Sequence, residues 1–379
     1  MKKLLLIPVF LTALQTTVAQ VVYETFNSEK LGESRELKIQ LPRNYNPEES
    51  VEYPLVIVLD GDYLFEPVVG NTDYQSYWGD IPKCIVVGIN QSETRNNDLM
   101  YDADTYFPAH EGARFFEFIG MELIPYIEDK YLASDFRIAI GHDKSANFIN
   151  YYLFKNVPVF RAYIAISPDL APEMQNRALA KIPTLERDTF YYLATAENDV
   201  EELKEPIMAM ESQFKNVTNP RFHYRFDNFD DADHYSLVGL AIPKALNDIF
   251  SFYKPISMEE YRDQVLTFSG TPYEYLVKKY EDIELFYGFK KKVVENDLRA
   301  IAAAAKKNDD VESLKELSKL ARKEFPESMI SAYYTGMYYE REGNIKKALQ
   351  NYQSGLLLDE SEFIVKDMLL DKIYELKEN

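Results

Sequence analysis

Residues 136 to 148, FRIAIGHDKSANF, run from an apolar β-branched stretch to Gly141, then through His142, Asp143, Lys144 and Ser145 into a helix-forming segment. Strand, sharp turn and helix at this spacing form a nucleophile elbow, in which the turn residue stands exposed at the top of a sheet. The motif is GxSxG, with serine at its centre. Here the centre is Asp143, and Ser145 occupies the position where a small residue lets the helix pack closely on the strand. Two further groups complete a candidate set. Glu197 and Asp199, in TAEND, follow one strand-like run, and His234, in DDADHYS, follows another. The chain order is therefore elbow residue, acid, histidine. The histidine would carry the proton to and from the reacting group while the acid fixes its tautomer. Asp199 is the favoured acid and Glu197 the alternative.

An aspartate changes the chemistry of such a site. A serine is neutral before attack, and the negative charge that develops passes to the substrate oxygen, which donors stabilise by several kcal/mol. A carboxylate already holds charge where that oxyanion must form, and it could pair with His234 and keep it protonated when a base is wanted. Other nucleophiles are poorly placed. Ser145 lies on the first helical turn, and Ser167, in AISPDL, reads as a turn residue bonding to its own backbone. His110 and His142 stand alone, and the chain contains neither HxxxH nor CxxC spacing. Asp60 and Asp62 flank Gly61 in a strand-to-loop turn that suits a tight backbone better than a metal cage. No metal and no cofactor is expected.

The elements that would position these groups run from Tyr53 to His234. YPLVIVLDGD, KCIVVGIN, FRIAIGHD, YIAISPDL, TFYYLATAEND and RFHYRFDNFDDADH alternate with helical patterns such as FFEFIGMELIPYIEDKY and NFINYYLF. Near-continuous Val/Ile/Leu strands alternating with helices predict a largely parallel sheet covered on both faces. ESRELKIQLP alternates polar and apolar residues, as an antiparallel edge strand does. Sites in such sheets lie at the carboxyl ends of strands, and every candidate group here follows a strand.

The chain has 379 residues, 46% of them hydrophobic, enough for one large core and a smaller second domain. Residues 1–19, MKKLLLIPVFLTALQTTVA, combine two lysines, an apolar stretch and small residues before Gln20, the pattern of an export signal peptide. The expected location is periplasmic or secreted. No other segment approaches the length of a membrane span. Cys84 is the sole cysteine, so no intramolecular disulfide can form. A net charge of −20 opposes nucleic-acid binding. After Lys254-Pro255 the strand-like runs stop, 255–275 reads as a linker, and 276–379 reads as helical. There Gly336, Tyr339, Gly343, Ala348, Tyr352 and Gly355 match the small and aromatic positions of a 34-residue tetratricopeptide-type repeat. Moving back 34 places gives a weaker match at Ala302, Ala305, Asp309, Leu314, Ser318 and Ala321. Such repeats must pack on each other or on the main domain, and they could also recruit a protein partner.

The segments YPLVIVLDGDYLF, IPKCIVVGINQSETRNNDL, EGARFFEFIGMELIPYIEDKY, FRIAIGHDKSANF, FRAYIAISPDL and DADHYSL resemble, in order, the esterase family of α/β hydrolases that includes enterochelin esterases and the S-formylglutathione hydrolase group. The resemblance covers residues 20–254. It implies an α/β-hydrolase fold with a mostly parallel central sheet, followed here by an α-helical repeat domain, and cofactor-free cleavage of a small ester or thioester. Carried over by position, His234 matches the family's histidine, Asp199 its acid, and the backbone N–H groups of Lys144 and Asp62 its oxyanion hole. Asp143 holds the place of the serine. Two other readings follow from that departure. One is a catalytically silent relative that binds a ligand or a protein partner. The other resembles epoxide hydrolases and haloalkane dehalogenases, whose elbow aspartate attacks a saturated carbon, with Trp78 and the tyrosines of YQSYWGD and LMYDADTYF standing in for lid residues.

Overall fold

The computed structural model describes residues 21–48 and 51–378, so the leader-like segment 1–19 lies outside the described residues. Eight strands form one sheet: β1 (Val21–Ser28), β2 (Glu33–Gln40), β3 (Tyr53–Val58), β4 (Ile85–Ile89), β5 (Ala133–His142), β6 (Ala162–Ile166), β7 (Thr189–Asn198) and β8 (Phe222–Asp233). Their spatial order is β1-β2-β4-β3-β5-β6-β7-β8. β1 and β2 form an antiparallel hairpin, β2 runs antiparallel to β4, and all other pairs are parallel. The ESRELKIQ segment is thus antiparallel as expected, but the edge position belongs to β1.

The apolar runs explain the layering. Successive residues of a strand point to opposite faces, so Leu55 and Ile57 enter one core while Val56 and Val58 enter the other. β3, β4 and β6 are buried throughout because helices cover both faces. The long helix expected over FFEFIGMELIPYIEDKY spans Glu111 to Lys130, with a wider π turn at Phe118–Leu123 just before Pro125. Proline lacks the N–H that a regular turn would use.

A third core belongs to the C-terminal helices Glu295–Lys307, Val311–Glu324, Met329–Arg341, Ile345–Gly355 and Lys366–Glu378. The first and third of these begin 34 residues apart, as do the second and fourth. Gly336 and Gly355 sit at the crossings: a Cβ on Gly336 would lie 2.4 Å from the Tyr352 ring, and one on Gly355 2.7 Å from the Ala332 Cβ. The stretch 255–275 is packed rather than bare linker. It carries short helical turns at Met258–Glu260 and Tyr261–Val265, Ile256 and Val265 join the third core, and Thr271 caps the helix Pro272–Tyr287 through a capping box. That helix ties the two parts together. Its Ile283 and Tyr287 enter a sheet-facing core, the Tyr287 hydroxyl donates to the Ile249 carbonyl at 2.9 Å, and Arg161 donates to the Phe286 carbonyl at 2.8 Å. No helix among the described residues is long and apolar enough to cross a membrane.

Candidate active site

The turn after β5 has the backbone of an elbow. Asp143 sits at φ 59°, ψ −125°, and the helix Lys144–Ile149 starts at the next residue. A non-glycine residue in this region costs about 1–3 kcal/mol and persists only where surrounding packing enforces it. Gly141 supplies part of that packing, since a Cβ there would lie 2.5 Å from the Ser145 carbonyl carbon and 2.6 Å from the Ala146 nitrogen. Ser145 supplies the rest. Its buried hydroxyl donates to the His142 carbonyl and accepts from the His142 N–H, both at 2.9 Å.

β7 and β8 end beside this turn. His234 Nδ1 lies 2.8 Å from Asp199 Oδ1. Asp199 also accepts from the Thr195 hydroxyl at 2.7 Å and the Val200 N–H at 2.9 Å. Burial alone would raise the Asp199 pKa; hydrogen bonds from His234, Thr195, Ser167 and Val200 outweigh it and hold the carboxyl at about 2. An ionised carboxylate only accepts, so Nδ1 carries a proton, and in the neutral ring Nε2 is then the acceptor. Among the described residues Nε2 has no hydrogen-bond partner. Glu197, by contrast, is exposed and pairs with Lys204 at 3.1 Å. Of the two carboxylates, Asp199 is the one that lies against His234.

His142, the residue before the elbow aspartate, is buried beneath His234. The two rings are 4.4 Å apart between centroids. His142 Nε2 lies 2.9 Å from the His234 carbonyl, which can only accept, so Nε2 carries the proton and Nδ1 accepts from the Tyr63 hydroxyl at 3.1 Å. Burial, then the neighbouring His234, pulls the His142 pKa down to about 4. It is a neutral spacer that fixes the backbone of the His234 loop.

The elbow carboxylate turns elsewhere. Asp143 Oδ2 pairs with Arg95 at 3.3 Å, and among the described residues no hydrogen bond or ion pair joins Asp143 to His234. Arg95 also grips Asp60 with two bonds, Nε to Oδ1 at 2.7 Å and Nη2 to Oδ2 at 3.0 Å, and donates to the His142 carbonyl at 3.3 Å. Asp60 is fully buried at φ 52°. The pairing of Asp143 with His234 that the sequence allows is therefore not formed: the guanidinium, anchored by Asp60, takes the carboxylate instead. Asp169, half-buried nearby with its N–H on the Asp143 carbonyl at 3.2 Å, has its pKa raised by burial and by Asp143.

Of the expected oxyanion donors, Lys144 opens the helix that follows Asp143 and Asp62 lies on the loop after β3. Among the described residues the N–H groups of Lys144 and Asp62 have no acceptor. The Asp62 carboxylate accepts from the Gln91 and Ser92 N–H groups at 2.8 and 3.2 Å, which pins its loop. Gly61 permits the approach, because a Cβ there would lie 2.7 Å from the Ile89 nitrogen.

Sequence reasoning missed four contributors. Arg95 was one charge in a polar loop; His142 was an isolated histidine; Tyr63 was one tyrosine of 29. Ser167 reads from sequence as a turn residue, and its φ of 41° bears that out, yet its hydroxyl also lies 3.1 Å from His234 Nδ1. It is fully buried behind the histidine, away from Nε2. Only Ser167's strand-end position could have signalled this. Trp78 moves the other way. It follows the C-terminus of the helix Phe65–Tyr77, against Tyr77, whose ring lies under Arg43 just past the end of β2, so it sits at the opposite end of the sheet. Tyr101 does lie on the site's side, within the field of Asp169. Between β6 and β7 the only α-helix is Met174–Lys181, too little for a separate helical lid.

Comparison with known proteins bears on the family and the fold. A family described as "Putative esterase" matches residues 28–230. An uncharacterised protein from Capnocytophaga ochracea is 31% identical with a TM-score of 0.79, over 95% of this chain and 100% of that one. An IroE-like serine hydrolase from Shewanella oneidensis is 19% identical with a TM-score of 0.62, over 80% of this chain and 99% of that one. The BES protein from Bacillus cereus is 19% identical with a TM-score of 0.54, over 65% of this chain and 97% of that one. The last two likenesses show the fold alone. No curated protein matches.

Proposed function

The chain belongs to this esterase family, and on that premise we propose that it is an exported hydrolase of small esters or thioesters in which His234, held by Asp199, activates a water molecule directly. The observation that carries this reading is the bare Nε2 of His234, beside an elbow whose own carboxylate is drawn aside to Arg95. Water attacks the acyl carbon as its proton passes to Nε2. The oxyanion forms against the N–H groups of Lys144 and Asp62, and the leaving oxygen or sulfur takes the proton back as its bond to carbon breaks. Arg95 offsets the charge of Asp143, which would otherwise repel the oxyanion. Direct attack by Asp143 on an ester would yield an anhydride, a higher-energy acyl species, and the ion pair with Arg95 further weakens it as a nucleophile. That pairing and the short β6–β7 connection also disfavour attack on epoxides or alkyl halides.

A second reading rests on the same ion pair. A site without a side-chain nucleophile in contact with its histidine can be a retired catalyst that binds a ligand. In either reading the C-terminal helices act as tetratricopeptide-type repeats packed on the hydrolase domain.

Hydrolysis of nitrophenyl esters, thioesters and an epoxide by the purified protein separates these readings. The proposal expects ester cleavage that falls about 10²–10⁴-fold in His234→Ala and survives in Asp143→Asn. A silent parent, with cleavage appearing only in Asp143→Ser, would establish the retired scaffold. Epoxide opening abolished by Asp143→Asn would establish aspartate as nucleophile.

A further inference from the structure

The chain carries 62 acidic residues against 42 lysines and arginines, yet one cavity in the helical region is lined by two cations and no carboxylate. Its volume is about 490 Å³, and it lies between the helices Glu295–Lys307 and Met329–Arg341 and the start of Lys366–Glu378. Arg299 and Lys306 are seven residues apart on the first helix, two turns and about 10 Å along one face. The Arg299 guanidinium stacks over the Phe363 ring at 3.9 Å, and among the described residues its one hydrogen bond is a long one, 3.5 Å to Asn296 Oδ1. Lys306 is half-buried and, among the described residues, has neither an ion pair nor a hydrogen bond. Burial, reinforced by Lys372, pulls its ammonium below the ordinary lysine range. Glu340, which acts in the opposite sense, is already held by Lys372 at 3.1 Å and the Tyr352 hydroxyl at 2.8 Å.

A desolvated cation without a partner is costly, and an anion that reaches it recovers that cost. The remaining walls carry no charge and are mostly carbon, with Ala300, Ala303, Met337 and Met368 along one side, Met258 at the rim, and Ser257, Asn296 and three tyrosines as neutral polar groups. The volume is that of a small-molecule site. We propose that this cavity binds a small carboxylic acid with an apolar body, its carboxylate reached by the long side chains of Lys306 and Arg299 and its acyl chain or ring lying against the alanine and methionine wall. Peptides and neutral lipids fit less well, because the cavity is short and both of its charged groups are cations. The proposal goes beyond the hydrolytic reading and does not depend on it.

Calorimetric titration of the full chain with decanoate, and with decyltrimethylammonium as the cation of matched chain length, tests it. Saturable one-to-one binding of decanoate is expected, with Lys306→Gln and Arg299→Gln each weakening it about tenfold or more. Lys306→Arg should restore binding, Ala303→Trp should block it by filling the cavity, and His234→Ala should leave it unchanged. Melting curves establish that each variant is folded, and ester hydrolysis should be the same in Lys306→Gln as in the parent. Absence of saturable decanoate binding would overturn the proposal. So would equal affinity for the cationic amphiphile, or binding that is lost in His234→Ala and kept in Lys306→Gln.

Discussion

The two sides of the elbow solve opposite problems with similar materials. On the β7–β8 side a buried carboxylate, Asp199, holds a histidine by one bond and leaves its far nitrogen open. On the β3–β4 side a buried carboxylate, Asp60, holds an arginine by two bonds and lets it close over Asp143. The first arrangement keeps a group available; the second uses one up. The difference lies in the partner. Imidazole has two distinct nitrogens, of which one can be anchored and the other left free, whereas guanidinium offers only donors and ends by neutralising whatever anion it reaches. A carboxylate at the elbow is tolerable because Arg95 stands opposite.

The sharpest way to break this comparison is to remove the open group. His234→Ala should reduce ester hydrolysis by about 10³-fold, with a stability loss of about 1–3 kcal/mol because buried Asp199 gives up a hydrogen bond, and a comparable activity loss from Arg95→Lys would erase the distinction between the two sides. Arg95→Ala should lower hydrolysis less than His234→Ala does, by leaving the Asp143 charge uncompensated, and should also act on stability. It strands the buried Asp60 carboxylate, for a loss of about 3 kcal/mol in denaturant unfolding, and Asp60→Asn in the same background should recover part of it. The neutral spacer makes a pH-dependent prediction. His142 titrates at about 4 in the fold and near 6.5 unfolded, so below pH ~6.5 the unfolded chain binds the extra proton. Its contribution is complete above that pH and is lost as pH falls toward 4, by up to about 3 kcal/mol. Unfolding curves at pH 7 and pH 4.5 should show a smaller difference in His142→Phe than in the parent. The smallest effect belongs to the other carboxylate of the β7 end: Glu197→Gln should change neither hydrolysis nor melting temperature, and a marked loss of activity there would reopen the choice of acid.

Much of this architecture is legible in the amino-acid sequence. Gly141 with Ser145, four residues on, marks a turn too tight for larger side chains, and the apolar runs of β3, β4, β5 and β6 mark a parallel sheet, because only a strand covered on both faces is apolar at every position. The order of Asp143, Asp199 and His234 follows from strand ends alone. Asp199 could be favoured over Glu197 but not selected, since two carboxylates two residues apart have the same chemistry and differ only in which one the strand end turns inward. Arg95 and Tyr63 were illegible for a similar reason. Their loops lie 48 and 80 residues from Asp143 along the chain, and no local pattern records which of many arginines and tyrosines a fold will bring back to its elbow.

What the amino-acid sequence determined by itself is therefore the set of local structures and their chain order: elbow, strands, helical tail and the aspartate where a serine is expected. Periodicity and steric limits act over a few residues, and they are written in those residues. What only the tertiary structure decided is where the elbow charge goes. Pairing depends on distances across the sheet, and Asp60, buried on one loop, aims Arg95 at Asp143 and away from the histidine.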